Sequence, residues 1–346
     1  MNKDVEAGLR WDGRRVSGLD DILILHNAMP ELDMSLIDVS CEFLGKHLKA
    51  PVLISSMTGG HPSTFEINKN LAIAAQNLGI GIGVGCQRAA LEDPSLVSTY
   101  SVVREMAPDA FVYGNLGAAQ LGKYGVDGVL KAVEMIDADA MAIHLNFLQE
   151  AIQPEGDIDA RGVLKRIEEV CSCGIPIIVK ETGCGIKREE AIKIKDAGAS
   201  AIDVAGFGGT SWAGVEWFRS ENDTGKVFWQ WGIPTVVSIV ECVVGLPLIA
   251  SGGIRSGIDC AKCIALGADV CALALPLLKR GFESAESVEN YLREIIDQLR
   301  ISMFLTGSMN IKELKNADIL ITGPTREMLE ERGHITGRFV KRRAER

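Results

Sequence analysis

The chain has 346 residues, 47% of them hydrophobic, with 37 glycines and a net charge of −10. That length and apolar content suit one large α/β domain or two modest ones, and the acidic balance argues against a nucleic-acid-binding surface, which needs a net basic face. No apolar stretch reaches the roughly 18 to 20 residues of a spanning helix, and the opening MNKDVEAGLRWDGRR lacks an apolar leader core, so a soluble, cytoplasmic protein without a membrane partner is expected.

In chain order, residues 1–50 form a polar segment expected to cap the bottom of the fold or pack on its side. Eight short apolar runs follow: 51–55 (PVLIS), 80–84 (IGIGV), 110–114 (AFVYG), 140–144 (AMAIH), 175–180 (IPIIVK), 201–205 (AIDVA), 247–251 (PLIAS) and 269–273 (DVCAL). Segments with helical periodicity separate them. Continuously apolar strands alternating with amphipathic helices imply parallel strands covered on their outer face, and eight βα units close naturally into a barrel, the TIM (β/α)8 barrel of the α/β class. A doubly wound open sheet is the competitor. A ninth run, 233–240 (IPTVVSIV), is taken as the start of a helix with Pro234 in its first turn, because a ninth strand would spoil closure. Residues 284–306 have a long helical pattern, and the tail KRRAER at 341–346 is expected to be a solvated end. The expected division is therefore an extension at 1–50, a catalytic barrel at 51–310 and a helical, basic tail at 311–346.

Nine cysteines are scattered without the spacing of a disulfide framework and are read as reduced. Cys260 and Cys263 have CxxC spacing, but no second CxxC and no His pair accompany them, so they are expected on a packed helix.

Nearly every run ends in polar or glycine-rich residues, where a barrel builds its site. The loops at 206–210 (GFGGT) and 252–257 (GGIRSG), with Ala274 and Leu275 after the eighth run, occupy the positions where barrels commonly bind phosphate, and Arg255 adds a cation. Lys180 closes the fifth run and should project into the mouth, where a fixed cation could stabilise an anionic ring or phosphate. At 144–150 the chain reads HLNFLQE, crowding His144, Asn146, Gln149 and Glu150 after an apolar run. Burying four such groups without partners would be costly, so they should face something polar.

MTGG at 57–60, GVGCQR at 83–88, NLG at 115–117, HLNFLQE at 144–150, VKETGCGI at 179–186, GFGGTSW at 206–212 and SGGIRSGID at 251–259 together resemble the type 2 isopentenyl-diphosphate Δ-isomerases, from about residue 20 to about residue 310. The resemblance implies a flavin-dependent barrel that interconverts isopentenyl and dimethylallyl diphosphate, using reduced FMN, Mg²⁺ and NADPH as reductant, in a tetramer or octamer. It implies FMN contacts from Ser56, Met57, Thr58, Cys86, Asn115, Lys180 and Thr210, with the flavin phosphate on Gly253, Ile254, Arg255, Ala274 and Leu275. It further implies that Gln149 approaches the reacting alkene, that Glu150 holds Mg²⁺ against the diphosphate, and that His144, Asn146, Gln87 and Arg88 bind substrate. The chain departs from the pattern in two places. An Arg-Lys pair and a His that relatives carry near their start are not found here, for which a misplaced start, a lost segment, or substitution by Arg14 and Arg15 are the alternatives, and Cys86 stands where Ser is frequent. Two other readings compete: a flavin-binding relative that has lost turnover, and an FMN-dependent α-hydroxy-acid oxidoreductase. The second would want a His base late in the barrel, and residues 201–255 contain no His.

Overall fold

A computed structural model of the chain describes residues 16–220 and 223–340. Arg14 and Arg15, with the rest of the opening segment, and the basic tail at 341–346 lie outside the described residues.

Each of the eight apolar runs forms one strand. They are β4 (Val52–Ile54), β5 (Gly81–Gly83), β6 (Val112–Gly117), β7 (Ala140–Leu145), β8 (Ile177–Glu181), β9 (Ala201–Asp203), β10 (Leu248–Ser251) and β11 (Val270–Leu273). All neighbours are parallel, and β11 pairs back onto β4 with Cys271 opposite Val52, closing the expected eight-stranded barrel. The run at 233–240 is the helix Thr235–Glu241, with Pro234 at its N-cap.

Side chains alternate between two cores because successive strand residues point to opposite faces. Val112, Met141, Ile143, Val179 and Leu248 face the surrounding helices, whereas Leu53, Phe111, Tyr113, Ala142, Ile178 and Ile249 fill the barrel interior. Before the barrel, β2 (Cys41–Phe43) and β3 (Lys46–Leu48) form an antiparallel hairpin whose two-residue turn puts Leu44 at φ 46° and Gly45 at φ 81°, the primed geometry that matches strand twist. Phe43 and Leu48 join the interior cluster from below, Phe43 meeting Phe111 edge to face at 5.6 Å. Lys46 ties the hairpin to Asp139 at 2.9 Å.

The two ends of the described chain meet: β1 (Ile22–Ile24) pairs antiparallel with β12 (Ile319–Ile321). The expected long helix spans Ala285–Leu305. Cys260 and Cys263 lie buried on the helix Gly257–Leu266, and all nine cysteines are free thiols. No helix among the described residues is long and apolar enough to cross a membrane.

Candidate active site

The alternation that fills the barrel interior with apolar residues continues upward and turns polar in the last layer. Two residues beyond Leu53, Tyr113, Ala142, Ile178, Ala201 and Ile249 stand Ser55, Asn115, His144, Lys180, Asp203 and Ser251, all buried. Above this layer opens a cavity of about 490 Å³. A polar floor over an apolar core fits a ligand with a heteroatom-rich underside.

The glycine loops form one wall. Gly252 has φ 104° and Gly253 φ 82°, and a Cβ on Gly252 would lie 2.2 Å from the Gly206 carbonyl oxygen. Only glycine lets these two loops touch backbone to backbone. Gly253, Ile254 and Arg255 line the cavity, as do Thr210, Ala274 and Leu275. Two helices start here and differ in their caps. Ser256 and Asp259 cap Gly257–Leu266 reciprocally, while Leu275–Glu283 has Ala274 at its N-cap and no side-chain cap. The uncapped end leaves backbone N–H groups for an anion, the chemistry of a phosphate site.

Ser56, Met57, Thr58 and Cys86 line the facing wall. Thr58 donates its hydroxyl to Asn68 at 2.6 Å, and burial pushes the Cys86 thiol up. Asn115 and His144 meet in the floor, with Nδ1 of His144 2.9 Å from Oδ1 of Asn115. Burial, then the charges of Lys180 and Arg88, lower the His144 pKa to about 3, so the ring is neutral at pH 7.

The segment after β7 is the helix Phe147–Ile152, and it carries the densest polar cluster. Glu150 is 4% exposed. Its Oε1 accepts from Asn146 Nδ2 at 2.9 Å, and its Oε2 from Gln153 Nε2 at 2.5 Å and from the Asp157 N–H at 2.9 Å. These donors are neutral and no ion pair reaches Glu150 among the described residues, where Oδ1 of Asn146 is also buried with no partner. Gln149 donates to Glu216 at 2.9 Å, and Arg219 donates to the other Glu216 oxygen at 2.8 Å. Among the described residues no group of three or more His, Cys, Asp or Glu is arranged to hold a metal. A cation at Glu150 would therefore depend on ligand oxygens and water for most of its shell, as Mg²⁺ commonly does.

One position assigned from the sequence is corrected. Gln87 does not reach the cavity. It is fully buried, donating to the Ala132 carbonyl at 2.7 Å and accepting the Asn115 N–H at 2.9 Å, so it joins β6 to the helix Leu121–Ile136. Its neighbour Arg88 does line the cavity. Two residues went unnoticed in the sequence: Glu216, on the helix Trp212–Ser220, and Asp203 in β9. Each had a faint signal. Glu216 is a carboxylate inside WAGVEWF, one helical turn from Trp212 of the GFGGTSW motif, and Asp203 is a lone charge inside AIDVA.

Residues 94–321 match a family model described as FMN-dependent dehydrogenase. The chain is 56% identical to the isopentenyl-diphosphate delta-isomerases of Methanosarcina barkeri and Methanosarcina mazei, over 93% of this chain and 91% of each relative. It is 51% identical to that of Archaeoglobus fulgidus over 96% of both chains. Among solved structures it resembles a Pediococcus acidilactici protein described as a putative lactate oxidase, with TM-score 0.68 and 18% identity over 92% of this chain and 87% of that one. A mandelate oxidase gives TM-score 0.63 at 17% identity over 92% and 100%. These two likenesses are of fold alone.

Proposed function

The chain belongs to the isopentenyl-diphosphate delta-isomerase family and carries an FMN-dependent dehydrogenase domain, and from that premise we propose that it converts isopentenyl diphosphate to dimethylallyl diphosphate with reduced FMN and Mg²⁺. The observation that carries this reading is one short helix, Phe147–Ile152, where a buried carboxylate held by neutral donors, Glu150, adjoins the Gln149–Glu216 pair in the same cavity. A diphosphate beside Glu150 would be repelled unless a hard divalent cation lay between them.

The residues present fit both groups. The backbone cradle at Gly253 and Ile254, the uncapped helix at Leu275 and the Arg255 guanidinium would hold the flavin phosphate, with Lys180, Asn115, Cys86 and Thr58 about the ring. Glu150 would hold Mg²⁺, and Arg88, His144 and Asn146 the diphosphate oxygens. Reduced FMN supplies an electron-rich ring and an exchangeable proton.

The reaction adds a proton at the terminal alkene carbon and removes one two carbons away, with no net redox change. Gln149 would face the alkene, held in orientation by the hydrogen bond its amide donates to Glu216. Trp212, also in the cavity lining, offers aromatic surface to a developing positive charge. The barrel at 51–310 would hold the whole site, with the segments 1–50 and 311–346 as its supports. NADPH as reductant, a cytoplasmic setting and a homo-oligomer, tetramer or octamer, complete the proposal.

The test is proton NMR of purified protein incubated anaerobically with FMN, reductant, Mg²⁺ and isopentenyl diphosphate. Dimethylallyl diphosphate formed only with reduced flavin, and lost on adding a chelator, is the expected result. Tight FMN binding without product in any metal would instead favour a relative that has lost turnover.

A further inference from the structure

Inside the barrel, just below the cavity, β8 and β9 hold an ion pair that the proton chemistry above leaves unused. Nζ of Lys180 lies 3.3 Å from Oδ2 of Asp203 and donates to the Glu181 carbonyl at 2.8 Å. Asp203 is 0% exposed. Its Oδ1 accepts from the Ser251 hydroxyl at 2.5 Å and from the Ala205 N–H at 3.2 Å. The strand register sets this arrangement, placing Lys180 opposite Asp203 across β8 and β9, and Ile249, two residues before Ser251, opposite Asp203 across β9 and β10. Lys180 and Ser251 line the cavity and Asp203 does not, so the carboxylate backs the ammonium from the protein side. A lone charge at this depth is strongly disfavoured, so the two side chains depend on each other as partners.

We propose that Asp203 is a positioning residue for Lys180 that cancels most of the charge Lys180 presents to bound FMN, and thereby sets the flavin's reduction equilibrium and the pH at which its reduced form loses a proton. The inference rests on FMN being the cofactor. Other titratable groups face the pair from β6, β7 and β8. Burial raises the Tyr113 hydroxyl and lowers His144 to about 3, so both are neutral at pH 7. Burial moves Glu181 up to about 7 against the backbone N–H groups of residues 182–185, which it accepts. Lys180 acts on Glu181 and on His144 as well, so Asp203→Asn, which keeps Lys180 in place, is the comparison that isolates the carboxylate.

The experiment loads FMN into the wild type, Asp203→Asn and the double variant Asp203→Asn/Lys180→Met, then measures the midpoint potential and the absorbance of the reduced flavin against pH. Removing a buried negative charge favours both electron uptake and the anionic reduced form. Asp203→Asn should therefore shift the oxidised–reduced equilibrium about tenfold toward reduced flavin, about 30 mV for a two-electron couple, and lower the pH midpoint by about one unit. The double variant restores a neutral pair and should return to within about threefold of wild type. An unchanged or lowered potential in FMN-loaded Asp203→Asn overturns the proposal. If that variant does not fold, the double variant decides: a shift of about tenfold toward oxidised flavin would mean that the ring senses Lys180 as a full cation, against the proposal. Wild-type protein that takes up no FMN would overturn the cofactor reading itself, and this inference with it.

Discussion

His144 enters the floor as a neutral ring with Nδ1 committed to Asn115. With Nδ1–H donating, Nε2 carries a lone pair and can donate to a phosphate oxygen only after gaining a proton. Diphosphate binding at pH 7 should therefore take up about one proton per site. Calorimetry in two buffers of different ionisation enthalpy checks this, and a binding heat independent of the buffer would place the proton on Nε2 already. Gln149→Ala and Glu216→Gln should each lower kcat by roughly 10²- to 10⁴-fold with FMN binding intact, whereas Gln87→Ala should cost about 1 to 3 kcal/mol of stability by leaving the buried Ala132 carbonyl and Asn115 N–H unpaired. Thermal melts and a flavin titration separate the two classes. At this scale the sequence was most informative where a motif ends a strand, since residues there point into the mouth. It misled at Gln87, because the chain turns into the helix Arg88–Glu92 and sends adjacent side chains in opposite directions. Glu216 and Asp203 were hidden because the functional partner of each lies on another element, a relation that spacing along one chain does not encode.

The strands were legible because an interior shared by two cores demands apolar residues on both faces, so each run stands out from its polar flanks. The β2–β3 hairpin was not, since its strands, CEF and KHL, mix polar with apolar residues and form no apolar run, and its role depends on Phe43 meeting Phe111 across the barrel bottom. Phe43→Ala should lower the unfolding free energy by about 3 to 5 kcal/mol, measured by urea denaturation, and a loss below about 1 kcal/mol would make the plug dispensable. The carboxyl-terminal elements are fastened differently. Burial pushes Glu241 up, but Arg332 at 2.7 Å, the Arg188 N–H and His334 at 2.6 Å outweigh it and hold the carboxyl at about 2. A carboxyl lowered from its ordinary value of about 4.3 stabilises the fold above that value and loses its contribution as pH falls toward 2. Denaturation midpoints of the wild type should therefore decline across that window more steeply than those of Glu241→Gln.

At the scale of the whole molecule, closure was foreseeable from the count of eight runs, but not which distant segments would meet. The polar last layer of the barrel draws on six strands, and which residues meet in it is set by register, a property of pairs of strands. Closure joins Val52 to Cys271, and a separate two-stranded sheet joins Ile22 to Ile321, residues far apart in the chain. On a ribosome adding roughly 5 to 20 residues each second, β4 would wait on the order of ten to forty seconds for the strand that completes it. Throughout that interval an apolar strand edge stands open to whatever else is nearby. An edge left open for that long is where a nascent chain is most prone to pair wrongly, and the finished barrel bears no trace of that exposure.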